Sequence, residues 1–297
     1  MKVNRIRQNV LPVLAAFIWG TAFVAQSVGA DYVEPFTFNT ARSAIAFLFL
    51  LVLCLVRRKV QKGVVESATR SWKDLAVGGT CCGVALTVAS FLQQKGLETT
   101  TSGKAGFITA LYIVLVPVFG LFLKKRVTWL TWLGVALSAV GLYLLCIKED
   151  FTIEMGDFIV FLCSICFAVH ILLCDHFTDK ANPLKLSFIQ FFVACILSWI
   201  AAFIVETPTI SGIMAAGFAI FYCGVFSAGV GYTLQMVAQK DTDPTIASLL
   251  MSLESVFGAV GGYFILHEVL SSKELIGCVV MFAAIIVAQI PLPDKKK

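Results

Sequence analysis

The sequence predicts an all-α integral membrane protein of ten transmembrane helices, arranged as two five-helix repeats of inverted topology. Three observations predict it. Long apolar intervals run without charge, one stretch occurs twice, and the number of intervals in each half is odd.

The intervals come first. Of 297 residues, 59% are hydrophobic and 14% charged, against about 25% charged in soluble domains. Uncharged runs cover 8–30, 75–94, 105–123, 127–147, 158–174, 186–205 and 275–293. Three more, 35–56, 212–235 and 245–266, either hold a single charge or have only one charged flank. Each is close to the roughly 20 residues that cross about 30 Å of hydrocarbon. Lys2, Arg5 and Arg7 suit the basic region of a signal peptide, but the run that follows is broken by Trp19-Gly20 and shows no small-residue cleavage site. The first interval is therefore expected to be a retained helix.

The repeat comes second. Moving Leu92–Val127 forward by 142 positions gives ten identities in 36, including Gln93 on Gln235, and sets Tyr112 on Glu254. An offset of 148 sets Pro35 on Pro183 and Arg42 on Gln190. A chain that repeats itself this way is usually two copies of one unit packed together. The expected division is 1–147 as the first repeat, 148–157 as an external connecting loop, and 158–297 as the second repeat with a cytoplasmic tail. Five spans per copy force the second copy to enter the membrane from the opposite side. Inverted repeats of this kind place a solute site near the midplane between the halves of a secondary transporter.

Loop charge sets the orientation. With the N-terminus inside, the inner segments hold 18 Lys and Arg and the outer segments four, so both termini are expected in the cytoplasm of a cell-membrane (plasma or inner membrane) protein. The net charge of +5 is accounted for by this bias, and nothing in it suggests nucleic acid as a partner.

The ten cysteines lie in or at the ends of apolar spans. Cys163 and Cys166 form a CxxC, but no second CxxC exists and the three histidines are scattered. Small apolar filling is the reading, with no metal and no cofactor. No Gly-rich nucleotide loop is present, so ATP does not drive the process within this chain. Gly78, Gly79 and Gly83 in span three, and Gly224, Gly229 and Gly231 in span eight, mark bending or close-packing points. Gly134, Ser138 and Gly141, with Gly258 and Gly262, form small-residue faces that pack within the chain or leave a homodimer open.

Trp19-Gly20-Thr21, Arg42, and Gly103 through Tyr112 running on to Val116-Pro117 together resemble the drug/metabolite transporter superfamily, in particular its EamA-type members. Ser252-Leu253-Glu254-Ser255 resembles the family's Leu-Glu-Pro segment with Ser255 in the proline's place. His267-Glu268 and Lys125-Arg126 close the corresponding spans. The resemblance covers nearly the whole chain. It implies transport, with export the favoured direction, and leaves the solute open among metabolites, amino acids and drug-like compounds.

A charge inside a span costs about 2.5–3.5 kcal/mol on insertion scales and is a functional candidate by default. Glu254 and Arg42 are the two that lie well inside spans, as ligands for an amine or proton and for a carboxylate, or as a pair that neutralises itself. Around them, Trp19, Asn39, Tyr112, His170, Gln190 and Tyr232 are expected to bind solute, with Gln93 and Gln235 gating. Glu254 has no second acid at depth, which argues against a membrane-embedded enzyme. A channel or a non-transporting receptor or scaffold is the remaining alternative.

Overall fold

The computed structural model describes residues 6–60, 71–100, 102–125, 127–146, 154–266 and 271–290, and no strand occurs among them. A π-turn at Ile6–Val10 leads into α1 (Leu11–Ala30), followed by α2 (Pro35–Val60) and α3 (Trp72–Gly96). The next span is broken into α4 (Ser102–Ala110) and α5 (Tyr112–Phe122), and α6 (Trp129–Cys146) completes the first half. The second half opens with α7 (Met155–Thr178) and α8 (Pro183–Val205), then α9 (Ile210–Ala215) and α10 (Gly217–Tyr222). A nine-residue π-helical stretch, Cys223–Gly231, joins α10 to α11 (Tyr232–Gln239). The chain then runs through α12 (Pro244–Met251), α13 (Glu254–Leu266) and α14 (Ser272–Ala288).

Among the described residues, seven helical stretches are long and apolar enough to cross a membrane. The other expected spans fall on shorter apolar helices, Trp129–Leu144 and Pro244–Val260, and on the 17-residue α14. Helix ends move outward from the charge-free intervals. α7 begins at Met155, inside the expected connecting loop, and carries Asp157 in its first turn and Asp175 in its last. A carboxylate suits the first turn because the amides there are unpaired and the helix dipole is positive. At the other end, Asp175 is paired with Lys125. His267-Glu268, Arg126 and the tail lie outside the described residues.

Local chemistry explains the starts. Asn182 accepts from Leu184 N at 3.0 Å ahead of Pro183, and Asp243 accepts from Thr245 N at 2.8 Å ahead of Pro244. Proline at the first helical position loses only an amide that had no partner anyway. α2 is capped by a distant residue instead. Both carboxylate oxygens of Glu206, just past α8, accept from Phe36 N and Thr37 N at 2.7 Å.

The two breaks fall at positions related by the 142-residue repeat, Leu111 and Ser252-Leu253. In the second, no proline is needed. Ser248 and Ser252 hydroxyls donate back to the carbonyls of Thr245 and Leu249 at 2.8 Å, a bond that bends helices by competing for the ladder.

Packing pairs α1 with α13 and α5 with α7, α3 with α7 and α8, and the π stretch with α1 and α2. α2 lies on α8, and α6 lies on α14. Small residues permit the closest of these. A Cβ on Gly134 would stand 2.8 Å from Ala284 O, and one on Gly141 3.0 Å from Gly277 O. That face is therefore used within the chain, against α14. A Cβ on Gly20 would stand 2.5 Å from Glu254 O and 2.7 Å from Gly258 N, so only glycine lets α1 lie against the first turn of α13.

Candidate functional site

A cavity of about 480 Å³, open mouth included, lies among these helices. Helical spacing accounts for its walls. Trp19, Phe23 and Gln26 follow one another at four and three residues and so share one face of α1. Phe167, His170 and Ile171 do the same on α7. Arg42 on α2, Gln93 on α3, Thr109 and Tyr112 beside the first break, and Met251 and Glu254 beside the second complete one side. Ser227, Tyr232 and Gln235 complete the other.

Glu254 is 4% exposed and its Oε1 accepts from the Tyr112 hydroxyl at 3.0 Å. The two residues equated by the sequence repeat are thus in contact at the two breaks. Arg42 is 6% exposed; its Nη1 donates to Gln26 Oε1 at 2.9 Å and its guanidinium stands over the Phe38 ring. Arg42 and Glu254 do not form an ion pair among the described residues. The sequence left open whether the two residues pair with each other; in the structure both line one cavity and each is partnered by a neutral dipole.

The Oε1 of Gln190, equated with Arg42 by the repeat, accepts from His170 Nε2 at 3.0 Å. Gln190 itself does not line the cavity; it acts from behind His170. Asn39 is likewise off the cavity, with both amide atoms buried and without a partner. Gln93 donates to Thr109 Oγ1 at 3.3 Å, and Gln235 to Gln239 Oε1 at 3.0 Å. Both expected gating residues line the cavity. Trp19 is fixed by a bond from Nε1 to Ser227 O at 3.2 Å and packs on Tyr232 with ring centroids 4.9 Å apart. Tyr232 in turn meets the edge of His170 at 5.7 Å.

The profile of the EamA-like transporter family matches residues 8–147 and again residues 154–289. The chain belongs to the EamA-like transporter family. Its members are transporters and not enzymes, and with its apolar helices the chain is a multi-pass membrane protein of the drug/metabolite superfamily. An uncharacterised transporter from Archaeoglobus fulgidus is 31% identical over 97% of this chain and 87% of its own. A WAT1-related chloroplast protein of Arabidopsis thaliana is 23% identical over 93% of this chain and 67% of its own. An S-adenosylmethionine uptake transporter of Rickettsia bellii is 28% identical over 62% of each chain. A crystal structure superposes with a TM-score of 0.77 over 95% of this chain and 96% of the other at 18% identity, which shows a shared fold.

In this EamA-like chain, sequence reasoning missed Gln26, Thr109 and Ser227. Gln26 had a readable signal, an amide seven residues past Trp19 on the same helical face. Thr109 and Ser227 had none, since hydroxyls are common in apolar helices and often bond their own backbone.

Proposed function

We propose that this protein is a secondary carrier that moves a small organic solute by alternating access. On this reading ten spans form two inverted five-helix repeats, with the halves 1–147 and 158–297 joined near 148–157. The packing pattern supports it. Exchanging the halves turns α1 on α13 into α7 on α5, and leaves α2 on α8 and α6 on α14 unchanged. Both termini are cytoplasmic in the plasma or inner membrane, as the distribution of Lys and Arg favours. The family profile matching twice, once per half, supports the repeat.

The observation that carries the reading is one cavity holding a buried guanidinium and a buried carboxylate that do not neutralise each other. The Arg42 guanidinium in this low-dielectric wall lacks the counter-charge that burial demands, and the Glu254 carboxyl can hold either a proton or a cation. A solute with an acid at one end and an amine at the other supplies both, with its carboxylate toward Arg42 and its amine, or a coupled proton, toward Glu254. Trp19, Tyr112, His170 and Tyr232 shape the apolar remainder, Asn39 and Gln190 support it, and Gln93 and Gln235 gate. Export is the direction favoured by the family resemblance, and the working unit is one chain or a homodimer.

Purified protein in vesicles, tested for counterflow with a panel of amino acids, S-adenosylmethionine and cationic drugs, decides the matter. Saturable exchange of solutes with both charges is expected. Non-saturating flux would point to a channel, and no flux of any solute to a receptor or scaffold.

A further inference from the structure

One end of the cavity is shut in a way that the other is not. Where α3 turns into α4, the Thr100 hydroxyl donates to one carboxylate oxygen of Asp157, in the first turn of α7. The other oxygen accepts from Glu154 N at 3.0 Å and meets Lys104 Nζ at 3.5 Å. Two glycines bring the same two helices together. A Cβ on Gly156 would stand 2.7 Å from Gly96 O, and one on Gly96 3.0 Å from Gly156 O. Phe23, Leu97, Ala105, Ile108 and Val160 form one buried apolar cluster here. Phe23 also lines the cavity and Val160 meets Gly96, so the cluster reaches from the cavity to this crossing.

The repeat puts unlike chemistry at the opposite end. The 148-residue offset sets Phe23 on Ile171 and Trp19 on Phe167, all four in the cavity wall, and sets Asn9 on Asp157. The 142-residue offset sets Leu97 on Gln239 and Thr100 on Thr242. Gln239 Nε2 donates to Ile171 O at 3.0 Å, where the first half has apolar contact between Leu97 and Phe23. Gln8 reaches the turn after α11 through its side chain, from Nε2 to Asp241 O at 2.6 Å. Asn9 is exposed, and Thr242 Oγ1 is buried without a hydrogen-bond partner among the described residues.

We propose that the Thr100–Asp157 contact is the latch of an outer gate. Thr242 and Asn9 are its counterpart at an inner gate, unmade in this structure and made when the carrier turns. On the inverted-repeat carrier reading, on which this rests, the two ends lie on opposite sides of the membrane. A buried hydroxyl without a partner carries a desolvation penalty. Thr242 bears it here, and turning relieves it by bringing the Asn9 amide within reach. The same turn breaks the bonds on Asp157 and leaves Thr100 as the orphan. Charge-assisted bonds to the Asp157 carboxylate favour the outer-shut state over its mirror.

Ser227→Cys puts a thiol in the cavity wall. Its labelling by a membrane-impermeant methanethiosulfonate, from either face of oriented vesicles, reads which gate is open. The parent without Ser227→Cys gives the background of native cysteines. Thr100→Val and Thr242→Val are the same near-isosteric change at repeat-related positions, and they are expected to act in opposite directions. Labelling from the outer face should rise about tenfold in Thr100→Val, which loses a bond to a charged acceptor. It should fall about threefold in Thr242→Val, because there the other state loses a neutral bond. Asp157→Asn is expected to follow Thr100→Val, and takes its place where Thr100→Val fails to insert. Outer-face labelling that moves the same way in both valine variants would overturn the latch. Counterflow by the parent, with labelling unmoved in the variants, would overturn the latch and leave the carrier reading standing. Equal labelling from both faces of the parent, without counterflow, would remove both.

Discussion

The two halves of this transporter share a framework and differ in charge. At one repeated position the first half places Arg42 and the second Gln190; at the other the first places Tyr112 and the second Glu254. Each half braces its polar residue with a neighbour from its own first helix, Gln26 for Arg42 and His170 for Gln190. At the breaks the halves touch directly, phenol to carboxylate. On the proposed repeat, the shared unit supplies geometry, while divergence within it supplies polarity. A fully repeated cavity would hold two like charges, which repel, or none. This one holds one basic and one acidic residue, on helices from different halves.

The comparison breaks most completely at Glu254. Glu254→Gln keeps an oxygen to accept from Tyr112 and removes the second half's only charge in the cavity wall. Normal insertion, loss of most net transport and a flattened pH profile are expected in vesicle flux assays. Saturable transport with unchanged affinity and pH profile would reduce Glu254 to a packing residue.

A smaller effect is expected from making the halves alike. Arg42→Gln gives both halves an amide at the repeated position and removes charge-assisted hydrogen bonding worth about 1.5–3 kcal/mol. Roughly 10–100-fold weaker apparent affinity should follow for solutes bearing a carboxylate, with little change for those without one. Because Arg42 and Glu254 have separate partners, Arg42→Ala and Glu254→Ala should add in stability to within about 0.5 kcal/mol. Coupling well above that in a chemical-unfolding cycle would restore the direct pair.

Least affected should be Tyr112→Phe, which deletes one neutral donor to a charged acceptor. A loss of about 1–2 kcal/mol in solute affinity is expected, read as a raised KM with kcat nearly unchanged. A collapse of kcat would instead put the phenol on the path of the transferred proton.

Much of this was legible from the chain alone because membrane burial magnifies two signals. Charge-free intervals mark helices, and a charge inside one stands out, which is how Arg42 and Glu254 were found. The 142-residue offset even placed the partners Tyr112 and Glu254 on each other. Helix ends were less legible, since Asp157 and Asp175 lie inside α7 where capping and the pair with Lys125 accommodate them. Pairing of Arg42 was not legible at all: whether it meets Glu254 or Gln26 depends on rotation of helices about their axes, which composition does not encode. Asn39 and Gln190 show the same gap, being polar residues at the right depth that face away from the cavity.

The π-helical stretch Cys223–Gly231 has a consequence for how one wall can move. Its ladder runs from residue i to i+5, so each turn holds more residues than an α-helical turn. The same nine residues rewound on the i to i+4 ladder would make more turns and reach further along the axis. Everything downstream would then advance like a screw, and Tyr232 and Gln235 on α11 would swing off the cavity wall together. Three glycines in the stretch, Gly224, Gly229 and Gly231, lower the cost of changing ladder because they carry no side chain to clash. A single helix would in this way re-aim two wall residues while the upstream end of the span stays where it is packed.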